Sequence, residues 1–486
     1  MDIKELRKRL RELYVERFKV EPEGISGLPI SGSNRKYFRL TGGGKTVIGT
    51  YNADLAENRA FYYLASHLKK NGVNVPEVII KDEENGIYLQ EDLGVTTLYD
   101  FIKEKNDLGE VGLFNVYKEV VDQMPLIQFE SARNMDFSIC YPRHEFDYQS
   151  VQWDLNYFKY CFLKLAYIPF HEQKLESEFQ KLISFVIKAP SDFFLYRDFQ
   201  SRNIMIQGDN VYFVDFQGGR KGALQYDLAS LLYESKVGLT QEFRQKVLDY
   251  YLKVFSAYEF FNADNFLKYY HSFALIRILQ AFGAYGYRGI FEKKAFFVHS
   301  IAKGLENLNY IVSQSDIKDK FPYLCSISES MMKLKADYEW PVEEKGLTVT
   351  INSFSYRKPL PDDWSGNGGG HVFDCRSLPN PGRYEQYRSS TGIDRDVIDF
   401  MEKEKEVEEF KLNTQKIVAA SVRKYLEDGF THLSVSFGCT GGQHRSVYAA
   451  QNLFEYLRMN FDVNLRLIHR EQNIREFYGK NNVQEK

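Results

Sequence analysis

The stretch FFLYRDFQSRNIMIQGDNVYFVDFQGG, residues 193–219, constrains this chain more than any other. Two short β-prone runs, NIMIQ and VYFVDF, flank Gly208-Asp209-Asn210, a composition that reads as a hairpin turn. Asp198 and Asn203 precede the hairpin and Asp215 stands at its exit. Such a segment brings three oxygen-bearing side chains to one place on two loops. Phosphoryl transfer needs that set: a carboxylate to orient and deprotonate an acceptor hydroxyl, and oxygen ligands that fix Mg²⁺ on the nucleotide phosphates. Asp198 suits the first task; Asn203 and Asp215 suit the second. Two protein oxygens are enough, because Mg²⁺ keeps several waters. An Asp turn, an Asn cap and a strand-end Asp could each arise alone, but RDxxxxN followed by a hairpin and VDF is a specific pattern.

The pattern resembles the protein-kinase-like fold, and more closely its aminoglycoside and choline kinase branch. That branch carries a later Asp, here Asp227 in LQYDLASLL, which the resemblance implies braces the catalytic loop. RDFQSRNIM, VDFQ, YDLASLLYE, NVPEVI and LQEDLG, with SGSNRKYFRL upstream, are similar to anomeric kinases of N-acetylmuramate and N-acetylglucosamine in cell-wall recycling. The resemblance spans about residues 25 to 310. It implies ATP and Mg²⁺ as cofactors and an amino sugar, phosphorylated at its anomeric hydroxyl, as substrate. Ser31, Gly32, Ser33 and Asn34 would form the loop over the phosphates, and Gln90, Glu91 and Leu93 the hinge against adenine. Many kinases of this fold carry a lysine on the third strand that pairs the α- and β-phosphates. Thr50 or Tyr51 stands there instead, leaving Arg35 and Lys36 as candidates to neutralise the phosphates.

Around this centre the chain reads as several domains, since 486 residues exceed one ordinary core. ENRAFYYLASHLKK sets Phe61, Leu64, Ala65 and Leu68 on one helical stripe, among strand-like pieces KYFRL, KTVIG, PEVII and GIYLQ. From Thr97 to about Val312 the pattern is mostly helical. Residues 1–95 and 96–312 therefore read as the two lobes of a kinase, and 313–346, polar with Pro322 and Pro341, as a connector. Strand alternation resumes at LTVTINSFSY, and 347–486 reads as a small α/β domain. The predicted class is thus a multidomain α/β and α+β chain: a two-lobed kinase-like fold, then a strand–Gly-rich loop–helix domain.

In that last domain, LSVSF leads into FGCTGGQHRSVYAA, a turn carrying Cys439, His444 and Arg445. Cys439 to Ser446 fits Cys-x5-Arg-Ser, the spacing with which cysteine phosphatases wrap backbone N–H groups around a phosphate. Gly438, in the place of their usual His, and Gly441-Gly442 depart from that pattern. An anion-binding loop without chemistry, or a structural turn, are the other readings. VFDCRSLPNP, TGIDRDVIDFM and GCTGGQHRSVYAAQNLFEYL, ending in LIHREQ, resemble the C-terminal domain of the RNase adaptor RapZ over about residues 347 to 472. By that resemblance Thr440, Gly441, Gly442, His444 and Arg445 would line a phosphosugar pocket with Asp374 and Arg376 beside it. Gly382 follows Pro381 where members of that family have His.

Charge bears on partners. Lys plus Arg (63) nearly balances Asp plus Glu (66), which excludes a global field toward nucleic acid or membrane. RNA adaptor activity is carried only as an alternative: a pseudokinase that senses an amino-sugar phosphate and recruits RNA or a protein. Five scattered cysteines suggest a reducing compartment, and the charged start MDIKELRKRLRELYVERF lacks a signal peptide's apolar core. A soluble, cytoplasmic chain, free of the membrane and open to oligomerisation, is the expectation.

Overall fold

The computed structural model describes residues 2–28, 35–104, 109–208, 210–339, 346–361, 363 and 369–479. The chain divides into two compact units, Met1–Phe291 with Ser300–Tyr338, and Glu292–His299 with Glu339–Lys486.

The first unit opens on a five-stranded antiparallel sheet in the order Gly24–Gly27, Lys36–Gly42, Lys45–Tyr51, Ile87–Glu91, Val78–Asp82. The helix expected from its stripe spans Leu55–Lys70 and buries Phe61, Leu64, Ala65 and Leu68. Asp54 caps it, its carboxylate accepting the N–H groups of Ala56 and Glu57. A second helix, Ile3–Phe18, was not read from the sequence because charged residues dominate it. Its Leu6, Leu10, Leu13 and Tyr14 nevertheless form one stripe, buried against Phe38, Leu40, Val47, Ile87 and Leu89 of the sheet.

Beyond Thr97 the unit is mainly helical, with Tyr148–Phe158, Gln225–Leu232 and Ile301–Ser313 ranged around the long Ala263–Ala284. Into this lobe is set the expected hairpin. Ile204–Gln207 pairs antiparallel with Asn210–Phe213, Gln207 facing Asn210 across the turn; Asp209 lies outside the described residues. The connector expected at 313–346 is corrected over much of its length. Ser315–Lys318, Pro322–Met332 and Lys335–Tyr338 are helical, and Ile317, Phe321, Leu324, Ile327 and Met331 are buried. Apolar residues at helical spacing outweigh the polar composition there, and Pro322 sits at a helix start, where its missing N–H costs nothing.

The second unit holds a five-stranded sheet ordered Gly370–Asp374, His432–Cys439, Thr348–Ser355, Asn464–His469, Ile474–Tyr478. The first four strands are parallel and the last pairs antiparallel. Val349, Ile351, Val435, Phe437, Leu465 and Leu467 pack against Val422 of the helix Lys405–Asp428 and Leu453, Phe454 and Leu457 of Arg445–Asn460. The central strand Thr348–Ser355 is flanked by two strands that the chain reaches later, so connections diverge on either side of it. Such sheets leave a crevice at the carboxyl ends of their strands. Ser355, Asp374 and Cys439 all stand at that edge.

Candidate functional site

In the first unit, the loop before the hairpin is held from below by Asp227. This carboxylate is fully buried and accepts the backbone N–H groups of Tyr196 (2.8 Å) and Arg197 (3.0 Å), with Gln128 Nε2 at 3.1 Å. Burial pushes its carboxyl up to about 7, against the pull of those donors. Gln128 is itself fixed by Tyr251, whose hydroxyl donates to its Oε1 at 2.9 Å. Arg197 takes a left-handed φ of 84° and forks onto Asp154 with 2.7 and 2.6 Å hydrogen bonds. Glu234 accepts the N–H of Ser201 at 2.8 Å. The loop carrying Asp198 is thereby fixed at three points.

The three residues singled out from the sequence come together. Asn203 Nδ2 donates to the Asp198 backbone carbonyl at 2.8 Å and lies 3.4 Å from Asp215 Oδ2. That orientation leaves Asn203 Oδ1, an acceptor, as the free chemical face of the amide. Asp215 has a φ of 68°, and Gln217 Nε2 donates to its Oδ1 at 2.6 Å. Burial, and then the like charge of Asp198, raise the Asp215 carboxyl above its ordinary range. The Asp215 carboxylate and the Asn203 amide oxygen are oxygen donors suited to a hard cation that also takes phosphate oxygens. Among the described residues no group of three or more His, Cys, Asp or Glu could hold a metal by itself.

On the sheet above, Arg35 is buried, with Nη1 3.3 Å from the Tyr88 hydroxyl and Nη2 3.5 Å from Glu57 Oε2. Lys36 extends over the Tyr51 ring instead, its Nζ 5.8 Å from the centroid. Gln90 and Glu91 end the strand Ile87–Glu91 and Leu93 is buried just beyond it. Asp92 between them is clamped by Arg39 at 2.7 and 3.0 Å. Ser31, Gly32, Ser33 and Asn34 lie outside the described residues.

In the second unit, Cys439 to Arg445 forms a tight loop between strand and helix. Gly442 has a φ of 67°, and a Cβ there would meet Ser355 N at 2.9 Å, so the loop needs glycine. At Gly438 a Cβ would come within 2.5 Å of the Phe354 and Tyr356 rings, which explains why no His stands before the cysteine. Cys439 Sγ is turned into the loop, 3.2 Å from Ser446 Oγ and accepting Gly442 N–H at 3.2 Å. Burial works to raise this thiol, yet those hydrogen bonds and the charge of Arg445 bring it below its ordinary value. Arg445 donates through Nη1 to the backbone carbonyls of Arg376 (2.9 Å) and Leu378 (3.2 Å). His444 Nε2 lies 2.8 Å from the Tyr387 carbonyl, and a Cβ at Gly382 would touch its ring at 3.3 Å. Asp374 and Arg376 pair at 2.7 Å, with Arg376 stacked 4.2 Å over Tyr356. Thr440 and Gly441 form the exposed tip.

Residues 25–261 match the family model described as Phosphotransferase enzyme family, and residues 347–473 match that of the RapZ C-terminal domain. The chain is thus similar to the first family in its N-terminal part and to the second in its C-terminal part, called here the phosphotransferase domain and the RapZ C-terminal domain for those matches. A "Nucleotide-binding protein" of Polynucleobacter necessarius subsp. necessarius (strain STIR1) is 40% identical over 117 residues, 24% of this chain and 38% of its own. Another, of Staphylococcus epidermidis (strain ATCC 12228 / FDA PCI 1200), is 31% identical over 166 residues, 34% of this chain and 50% of its own. The chain thus spans half or less of the length of these relatives. Among solved structures, choline kinase LicA from Streptococcus pneumoniae is 15% identical with a TM-score of 0.43, covering 63% of this chain and 99% of that one. ADP-bound aminoglycoside phosphotransferase APH(2'')-Ib is 13% identical with a TM-score of 0.44, covering 68% and 99%. No residue role follows from likenesses at this level. Among the described residues no helix is long and apolar enough to cross a membrane.

Several residues of both domains escaped the sequence. In the phosphotransferase domain, Asp154 and Glu234 reach the loop from distant elements, Gln128 supports it through Asp227, and Glu57 holds Arg35. In the RapZ C-terminal domain, the parallel register places Ser355 opposite Cys439, and Ser355 Oγ donates to the Thr440 carbonyl at 2.8 Å. Glu471 packs against Gly442 and pairs with Lys358 at 2.5 Å. Gln472 Nε2 donates to the Gly442 carbonyl at 3.1 Å. For Glu57, an Asp cap followed by Glu three residues on was a usable signal.

Proposed function

We propose that the phosphotransferase domain transfers the γ-phosphoryl group of ATP to a hydroxyl of an amino sugar of the N-acetylmuramate or N-acetylglucosamine type, at its anomeric position. The observation that carries this reading is the convergence of Asp198, Asn203 and Asp215 on one braced loop–hairpin unit. Asp198 takes the proton of the acceptor hydroxyl as its oxygen bonds to the γ-phosphorus, and the bond from that phosphorus to the β-bridging oxygen breaks to release ADP. Asn203 and Asp215 would hold Mg²⁺, which supplies charge neutralisation between the phosphates. Asp227 fixes the backbone that sets the direction of Asp198, and Gln90, Glu91 and Leu93 would face the adenine.

The RapZ C-terminal domain would bind a phosphosugar at the strand-edge crevice. Gly441 and Gly442 are followed by the first turn of a 16-residue helix, which offers backbone N–H groups to an anion. Arg376 and Thr440 stand at the exposed rim, and Asp374, His444 and Arg445 shape the wall behind them. A phosphatase reading has less support, because Cys439 is 3% exposed and its sulfur is engaged inside the loop. The absence of a third-strand lysine favours a second reading, a nucleotide-binding pseudokinase that recruits RNA or a protein.

The test is phosphate transfer from Mg·ATP to a panel of amino sugars, with product identification by NMR. A sugar 1-phosphate is expected, its rate of formation falling by about 10²–10⁴ in Asp198→Asn. ATP binding with no transfer to any sugar would put the adaptor reading in its place.

A further inference from the structure

Three residues form a row across the upper sheet of the phosphotransferase domain: Tyr37, Thr50 and Tyr88 are directly opposed in the register. Thr50, fully buried, is the middle member and holds the third-strand position where a lysine is missing. Arg35 enters from the start of the second strand and reaches this row. Its Nη1 contacts Tyr88 at 3.3 Å, and its guanidinium lies 5.4 Å over the Phe61 ring. Nη2 stands 3.5 Å from Glu57, whose carboxylate is held by Asn52 Nδ2 at 2.6 Å in the first turn of Leu55–Lys70. Phe61, one turn further on, stacks at 5.2 Å and 9° on Phe216, the residue after Asp215. The charge of Asp215 in turn acts on Arg35. A permanently charged side chain only 3% exposed thus sits against the helix carboxylate, on the ring that stacks beside the residue assigned to the metal.

We propose that Arg35 is the cation that holds the α- and β-phosphates of the nucleotide, reaching from the second strand the place left by the missing third-strand lysine, with Glu57 as its brace. The proposal rests on the phosphotransfer reading. A guanidinium is suited to this position for a chemical reason. It presents five N–H donors in a rigid fork, enough to keep Glu57, Tyr88 and Tyr37 and still address phosphate oxygens. An ammonium approaching from Arg35's own backbone would have to choose between them. Arg35 is here a binding residue and Glu57 a positioning residue acting through it.

A purely structural ion pair, joining helix to sheet, makes a different prediction, and nucleotide binding by the full-length protein separates the two. Calorimetry with ADP and with adenosine, each with Mg²⁺, is run on the wild type, Arg35→Met, and Arg35→Met combined with Thr50→Lys. We expect Arg35→Met to weaken ADP by about 30-fold, the worth of a charge-assisted contact, and adenosine by less than twofold. Thr50→Lys, which restores a cation to the third strand beside Glu57, is expected to recover about tenfold of the ADP affinity. Equal losses for ADP and adenosine, or no loss for ADP, overturn the proposal. Arg35→Lys covers failure of Arg35→Met to fold. It should weaken ADP about fivefold relative to adenosine, and an unchanged ratio overturns the shared-fork role. Wild-type protein that binds neither ADP nor ATP refutes the phosphotransfer reading and this proposal with it, whereas ADP binding indifferent to Arg35 refutes the proposal alone.

Discussion

Removing the Asp154 carboxylate should disable the catalytic loop from a distance. Arg197, one residue before Asp198, has a side chain 16% exposed and that of Asp154 is 7% exposed. The two share a forked pair of hydrogen bonds at 2.7 and 2.6 Å, with the Phe146 and Tyr226 rings each 5.2 Å from the guanidinium. Truncating one partner of such a pair strands a desolvated charge, and the cost is about 3–5 kcal/mol. Asp154→Ala should therefore lower stability by about that amount in urea unfolding of the full chain, read from the transition of the phosphotransferase domain.

The double variant Asp154→Leu with Arg197→Met removes both charges and should regain most of the loss, because neither member of the pair is left without its partner. Function should separate from stability. The left-handed φ of Arg197 is held by two devices, the Asp154 fork and the Asp227 bonds to the Tyr196 and Arg197 N–H groups. With one device gone, Asp198 loses its direction, and kcat should fall at least about tenfold while KM for ATP stays within twofold, a loss confined to the transition state. A stability change below about 1 kcal/mol, or an unchanged kcat in folded Asp154→Ala, would refute the view that this pair orders the loop.

Two predictions concern the RapZ C-terminal domain. His469 is fully buried between Ser353 Oγ at 2.9 Å and Gln451 at 3.1 Å, and burial lowers its imidazole to about 4. Between about pH 6.5 and 4 the unfolded chain binds a proton that the folded domain does not, so stability falls as pH is lowered through that window, by about 3 kcal/mol in all. Urea titrations at pH 7 and 5 should show about 2 kcal/mol of this loss in the wild type and less in His469→Gln; identical pH dependence would exclude His469 as its source. Gly442→Ala should cost about 1–3 kcal/mol in the same domain, because a Cβ at φ 67° also meets backbone atoms of Phe354 and Ser355 at 3.0 and 2.9 Å. A thermal transition equal to that of the wild type would mean the loop can relax away from the central strand.

What the sequence disclosed follows from the distance over which each feature is encoded. Asp198, Asn203 and Asp215 were legible because one short loop and one hairpin fix their geometry locally, and the turn residues between them announce the hairpin. The Leu55–Lys70 helix was legible because its apolar stripe is clean, whereas Ile3–Phe18 and Pro322–Met332 hid similar stripes among polar side chains. The residues that orient the loop were not legible. Asp154 and Glu234 reach it from a helix and a post-helix loop, Gln128 acts on it through Asp227, and only packing reveals which carboxylate accepts which N–H. The same holds in the RapZ C-terminal domain. Parallel pairing makes neighbours of Ser355 and Cys439, 84 positions apart, and no turn signal records that register. Arg445 shows the opposite limit. Its spacing from Cys439 suggested an arginine aimed at an anion, but its Nη1 secures the carbonyls of Arg376 and Leu378. Spacing named the residue, and the fold assigned it to hold the wall of the crevice. In the phosphotransferase domain the relation is reversed: no lysine stands on the third strand, and the side chain of Arg35, just before the second strand, reaches Tyr88 in the row that Thr50 occupies.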